Sequence, residues 1–194
     1  GVFQSLYEPG AKKRWSIPKE EDIIGCKIAA IDPFFLEETQ ATAELCVKYN
    51  KSYVTIDSKH DSYLHQHCAV NVVSKECTES DGYKDKSIEE IYELLVASTD
   101  GLVIITSGEN DMIYGRKGQL MKRMKPFSVD VKSTLGAGDT FKAGCVYGLL
   151  HGMEDDELVR FASACSAIAI SRFPLPLNPP TLLEVNSLLE NTKK

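Results

Sequence analysis

At 194 residues, with 43% hydrophobic and 26% charged side chains, the chain has the length and composition of a globular protein with a sizeable core, which argues against a disordered or fibrous architecture. Its 28 acidic against 22 basic side chains leave a net charge of −6, a balance that gives nucleic acid and anionic lipid no attractive field. No apolar run approaches the roughly 18 residues of a membrane span; the length suggests a single domain over residues 1–194, and cysteines without C-x-x-C pairs favour a cytoplasmic location.

The sequence opens Gly1-Val2-Phe3-Gln4-Ser5-Leu6-Tyr7, without an initiator Met, and reads as a start inside a strand of a longer chain. Val2 to Tyr7 is strand-like and ends at the turn signal Glu8-Pro9-Gly10. Lys27-Ile28-Ala29-Ala30-Ile31-Asp32 predicts a short strand closed by Asp-Pro, and residues 34–49 carry apolar side chains at helical spacing. Tyr53-Val54-Thr55-Ile56-Asp57 and Ala69-Val70-Asn71-Val72-Val73 predict two more strands. A helix over 87–98 follows, with Ser87 and Glu90 in capping-box spacing. Gly101-Leu102-Val103-Ile104-Ile105-Thr106 is a further strand. Met112-Ile113-Tyr114-Gly115 and residues 120–124 predict a hairpin. Two apolar helices over 138–152 and 154–172, a Pro-rich turn over 173–180 and a final helix from Thr181 complete the chain.

Strands that alternate with helices imply an α/β fold, a mostly parallel sheet flanked by helices, with ligands bound beyond the carboxyl ends of the strands. Asp32, Asp57, Ser74 and Thr106 are expected along that edge. The six cysteines, scattered without C-x-x-C pairs in a chain too large to need disulfide stapling, read as reduced and mostly buried thiols. His65-Gln66-His67-Cys68 has no partner pair at zinc spacing and is expected to play a surface or loop role. His151-Gly152 reads as a helix end, and Lys122-Arg123-Met124-Lys125 as a solvated basic face.

The stretch with the most chemistry is Ser133-Thr134-Leu135-Gly136-Ala137-Gly138-Asp139-Thr140-Phe141-Lys142-Ala143-Gly144. Small residues at Gly136, Ala137 and Gly138 let backbone N–H groups approach an anion closely, and the apolar pattern that follows makes them a helix N-terminus, whose dipole favours phosphate. Asp139 in the first helical turn then stands beside a bound phosphoryl group, where it can accept the proton of an attacking hydroxyl. There is no G-x-S-x-G nucleophile elbow and no G-x-x-x-x-G-K-[ST] P-loop.

Gly136-Ala137-Gly138-Asp139-Thr140-Phe141 with Ala143-Gly144 resembles the C-terminal signature of the ribokinase (PfkB) family of carbohydrate kinases. The resemblance implies a ribokinase-like fold, an anion hole at Gly136, Ala137 and Gly138, Asp139 as catalytic base, and transfer of the ATP γ-phosphate to a hydroxyl of a sugar or similar small molecule. Val103-Ile104-Ile105-Thr106-Ser107-Gly108 is similar to the family's T-x-G loop, which implies nucleotide contacts from Thr106 and Gly108. Residues 161–172 look like the small-residue helix beside the adenine pocket, with Ser163 facing the base.

Several positions depart from the family pattern. Ser133 stands where the family has Asp at a monovalent-cation site, which leaves potassium activation open. Asp111 replaces the second Gly of the T-x-G-x-x-G loop, and Phe173-Pro174 replaces a Gly-Ala. Ser74-Lys75-Glu76-Cys77 occupies the place of the N-x-x-E motif that orders Mg2+ through water, with Glu76 as a substitute carboxylate one position away. Ketohexokinase-like members also carry a Ser-Lys pair there, and Mg2+ is expected to arrive mainly with the nucleotide. By the resemblance, the N-terminal part with its sugar contacts and the lid are missing before Gly1. The family's usual dimer contacts belong to that lid, so a homodimer is implied only with it. An inactive nucleotide-binding fragment and a nucleoside kinase of the same fold are the alternatives.

Overall fold

A computed structural model describes residues 16–192 apart from Leu36; the strand and turn expected over residues 2–10 lie outside the described residues. Six strands form one sheet in the order β1 (Ile28–Ile31), β2 (Ser52–Ile56), β3 (Val70–Val73), β4 (Leu102–Ser107), β5 (Asn110–Gly115) and β6 (Lys122–Met124). The first four run parallel and the last two antiparallel. Each parallel pair needs a crossover. α2 (Glu37–Lys48) joins β1 to β2, the single turn α3 (Tyr63–Gln66) joins β2 to β3, and α4 (Lys75–Thr78) with α5 (Ile88–Ala97) joins β3 to β4. α1 (Glu20–Gly25) precedes the sheet, and α6 (Ala137–Leu150), α7 (Asp155–Ile170) and α8 (Leu182–Asn191) follow it.

Alternation along the strands decides which helix meets which face. Val54, Ile56, Val70, Val72, Leu102 and Ile104 pack against Phe141 and Cys145 of α6 and Leu158 and Ala162 of α7. Val73, Val103, Ile105 and Ile113 face the other way, onto Ile91, Tyr92 and Leu95 of α5. Tyr53 and Ile31 meet Ala43 and Cys46 of α2. β2 to β5 are thus covered on both sides, as the nearly unbroken apolar runs predict.

The capping box stands where the sequence places it, with Ser87 and Glu90 opening α5; a second, Thr181 with Glu184, opens α8 at the residue from which the final helix was expected. Residues 34–49 start differently from the expectation. Pro33–Phe35 forms a 3-10 turn, and regular helix begins at Glu37. The loop foreseen after Thr106 is also shorter than expected. β4 continues through Ser107, and Ser107 pairs with Asn110 across a two-residue turn in which Gly108 takes φ +62°.

All six cysteines are free, with Cys46, Cys68, Cys145 and Cys165 buried. Burial pushes the Cys68 thiol up to about 12 and Cys46 to about 11, so neither is a ready nucleophile. His151 caps α6, and Gly152 takes the left-handed conformation that a helix stop requires. Lys122 and Arg123 are half-exposed and pair with Asp156 and Glu89.

One expectation fails at His65, which is fully buried rather than on a surface or loop. Its Nε2–H donates to the Leu95 carbonyl at 2.9 Å, and its Nδ1 accepts from the Asn71 amide at 2.8 Å, an arrangement that demands the neutral ring. Burial, more than the nearby His60, holds its pKa below the ordinary value; the Leu95 contact partly opposes this. A folded-state value below the unfolded one of about 6.5 means that His65 stabilises the fold fully above that pH and loses its contribution as pH falls. Urea unfolding at pH 7.5 and 5.5 should therefore show a drop in stability, and that drop should shrink in His65→Gln.

Candidate active site

The carboxyl ends of the strands gather the predicted residues. Asp32 follows β1, Asp57 follows β2, Ser74 follows β3 and Thr106 lies near the end of β4. α6 points its N-terminus at this edge. Gly136 is its N-cap with φ +81°, a conformation open to glycine and strained for most side chains. A Cβ there would also meet Leu175 at 2.7 Å, and one at Gly138 would stand 3.0 Å from Ile56. The small residues therefore allow the helix start to sit directly against the loop after α7 and the end of β2.

Of the expected anion hole, the Ala137 amide already donates to the Thr134 carbonyl at 3.1 Å. The helical ladder begins with the Thr140 amide, which donates to Gly136 at 2.9 Å. The amides of Gly138 and Asp139 precede that ladder, at the positive end of a 14-residue helix. They are the donors best placed for an anion. The Asp139 side chain is 75% exposed and lines a cleft of about 470 Å3 with Thr140, Tyr147, Phe161 and Leu175. An exposed carboxylate beside free helix-terminal amides can take a proton from a hydroxyl while phosphate oxygens occupy the amides.

The remaining predicted residues spread along the edge. Thr106 Oγ1 donates to the Val73 carbonyl at 3.3 Å, so its hydroxyl braces β4 against β3. Gly108 forms the turn beyond it, two strands from β2 and so about 10 Å across the sheet. Ser74 caps α4, its Oγ accepting from the Cys77 amide at 3.1 Å. Ser163, expected to face the base, is instead buried in the middle of α7 with 3% of its surface exposed, and it is not among the residues that line the cleft beside Asp139. Glu76 is exposed in the first turn of α4.

Asp57 gained no role from its sequence position beyond its place on the edge. It takes φ +49°, uncommon for a residue with a side chain, and its Oδ1 accepts the Ser74 amide at 2.7 Å. Burial raises its pKa, as do Glu76 and Asp32 to a smaller degree, while the Ser74 contacts lower it. The sign is that of a destabilised anion: the contribution of Asp57 to folding is full below the unfolded value of about 3.9 and is lost as pH rises through the higher folded value. Asp57→Asn keeps the acceptor for Ser74, removes the charge and suits the left-handed backbone. Its melting temperature at pH 7.5 should rise by roughly 1–3 °C, with the gain shrinking toward pH 4.

Lys142 was also missed. Three residues beyond Asp139, its side chain is only 9% exposed; its Nζ makes an ion pair with Asp32 and lies 3.7 Å from Asp139 Oδ1. The available signal was a lysine set between Phe141 and Cys145 on the sheet-facing side of an apolar helix.

The region from Asp32 to Pro179 matches the model of the pfkB family carbohydrate kinases. The chain belongs to this family. It is 33% identical over 103 residues to a 5-dehydro-2-deoxygluconokinase of Shouchella clausii, an overlap of 53% of this chain and 31% of that protein. The fold is that of ribokinase from Thermotoga maritima, with a TM-score of 0.77 at 19% identity over 90% of this chain and 60% of the other. A putative ribokinase II from E. coli, solved with ATP and Mg2+, gives a TM-score of 0.74 at 14% identity, covering 89% of this chain and 61% of that one. This pfkB chain thus spans about a third of the curated relative it matches and about three fifths of the solved ribokinases.

The residues fit a phosphate-bearing ligand in one respect: the Gly138 and Asp139 amides precede the helical ladder at the N-terminus of α6, beside the cleft that Asp139 lines. They do not form a cage for a bare divalent ion, since the described residues contain no group of three or more His, Cys, Asp or Glu placed to hold a metal. No helix among them is long and apolar enough to cross a membrane.

Proposed function

We propose that this chain supplies the nucleotide-binding and proton-accepting part of an ATP-dependent sugar kinase, acting on a hydroxyl of a sugar or sugar-like small molecule. The observation that carries this reading is the placement of the Asp139 carboxylate in the first turn of α6, next to the Gly138 amide and open to the cleft. The Gly138 and Asp139 amides hold the terminal phosphate and meet the charge that grows on it during transfer. Asp139 takes the proton of the acceptor hydroxyl. Thr106 and Gly108 position the nucleotide. Mg2+ bound to the nucleotide offsets charge on the β and γ phosphates. Glu76, exposed in the first turn of α4, is the carboxylate assigned to orienting water around that ion.

The family and the ATP- and Mg2+-bound ribokinase II support the nucleotide part of this proposal. The acceptor class is drawn from the sugar kinases that the chain resembles, and a reducing cytosol suits its free thiols.

Two measurements test it. Isothermal titration with Mg·ATP reports nucleotide binding, and coupled ADP release over a panel of sugars, sugar acids and nucleosides reports transfer. Binding with turnover on a sugar supports the proposal. Binding without turnover on any acceptor leaves an inactive nucleotide-binding fragment, turnover confined to nucleosides replaces sugar by nucleoside as acceptor, and absence of binding sinks the proposal.

A further inference from the structure

The edge that would receive a polyphosphate is crowded with carboxylates: Asp32, Asp57, Glu76 and Asp139 stand at the ends of β1 and β2 and in the first turns of α4 and α6. Asp57 feels both Asp32 and Glu76. Such a set repels ATP, whose own charge is strongly negative, at the place where the amides of α6 must hold its terminal phosphate. Among these carboxylates lies Lys142. Its stem runs along the sheet-facing side of α6, its ammonium is clamped by Asp32, and Asp32 is itself held by the Thr39 hydroxyl, which donates to the Asp32 carbonyl at 2.5 Å. The cation is therefore fixed before any ligand arrives, and it lies 3.7 Å from the carboxylate that must tolerate the phosphate.

We infer that Lys142 is a positioning residue whose fixed charge offsets the repulsion between Asp139 and the incoming nucleotide phosphates, so that an anion and a carboxylate base can share the N-terminus of α6. This rests on the kinase reading above. In water the Lys142–Asp139 pair contributes little, because Asp139 is well solvated. Its effect grows when ATP and acceptor exclude water from the cleft, since the same charges then act through a lower dielectric. Asp32 has the opposite influence on ligand affinity. It anchors the lysine but adds a negative charge to the same edge.

This opposition separates an electrostatic role from a structural one. Lys142→Met and Asp32→Asn both destroy the ion pair, so a pair that merely braces α6 on β1 would make both variants bind Mg·ATP more weakly. The inference requires a split. By titration calorimetry of the full chain at low salt, Lys142→Met should bind Mg·ATP roughly 3–10-fold more weakly, Lys142→Arg should stay near wild type, and Asp32→Asn should bind as tightly as wild type or tighter. Adding Asp139→Asn to Lys142→Met should restore the affinity, because the repulsion is then gone. The difference between wild type and Lys142→Met should shrink as salt is raised to 0.5 M.

Equal losses in Lys142→Met and Asp32→Asn, an unchanged affinity in Lys142→Met, or no recovery in the double variant would each overturn the inference while nucleotide binding by wild type stands. If Lys142→Met does not fold by circular dichroism, Asp32→Asn alone decides: weakened binding refutes the electrostatic role. Wild type that binds no Mg·ATP removes the kinase reading itself, and the role of Lys142 goes with it.

Discussion

Asp139→Asn should lower kcat on an accepted sugar by roughly 10²–10⁴-fold, the usual worth of a positioned base, while Mg·ATP binds at least as tightly as to wild type. The substitution preserves the size of the side chain, and the side chain is 75% exposed, so folding should be unaffected. The Gly138 and Asp139 amides are backbone groups and remain in place. A loss confined to kcat would identify an interaction made during transfer rather than in the bound ground state. Single-turnover ADP release measured beside calorimetry separates the two. Turnover that persists within a factor of three of wild type would remove Asp139 from its proposed role.

The second large effect concerns the support of that helix. At Gly144 the α6 backbone meets α7 so closely that a Cβ would lie 2.7 Å from Ala162 Cα and 3.1 Å from its Cβ. Neither atom belongs to a flexible side-chain tip, so the helices themselves must part. Ala162 has no exposed surface and packs in the same cluster as Phe141 and Cys145, so the strain passes into the sheet interface. Gly144→Ala should cost about 1–3 kcal/mol, the range for overpacking, and lower the melting temperature by roughly 3–10 °C. Helix propensity alone would favour alanine by about 1 kcal/mol. The sign of the change thus decides between close packing and propensity, and a melting temperature equal to or above wild type would show that α6 and α7 have room to spare.

What the sequence revealed follows from how local each signal is. Strands of the parallel sheet announce themselves as apolar runs ending in a polar residue, and α5 through a Ser placed three residues before Glu. The start of α6 was legible because small residues and an acidic first turn lie consecutively, Gly136 to Asp139. α1, α3 and α4 were not, since helices of four to six residues are too short to display a period. The β4–β5 turn was missed because Gly108 reads equally as part of a phosphate loop and as the corner of a hairpin. His65 looked like a loop histidine because its neighbours are polar, whereas its burial depends on Leu95 and Asn71. Lys142 finds Asp32 at a separation of 110 positions, a pairing that no local pattern announces.

That separation also bears on how the molecule is made. During translation the strands emerge first, and the side of the sheet carrying Val54, Ile56, Val70, Val72 and Ile104 gains its α6 and α7 cover only after residues 137–170 have left the ribosome. Until then the nascent polypeptide presents a broad greasy surface, a natural client for a holding chaperone. The ion pair that joins residue 32 to residue 142 can form only once the start of α6 has emerged as well.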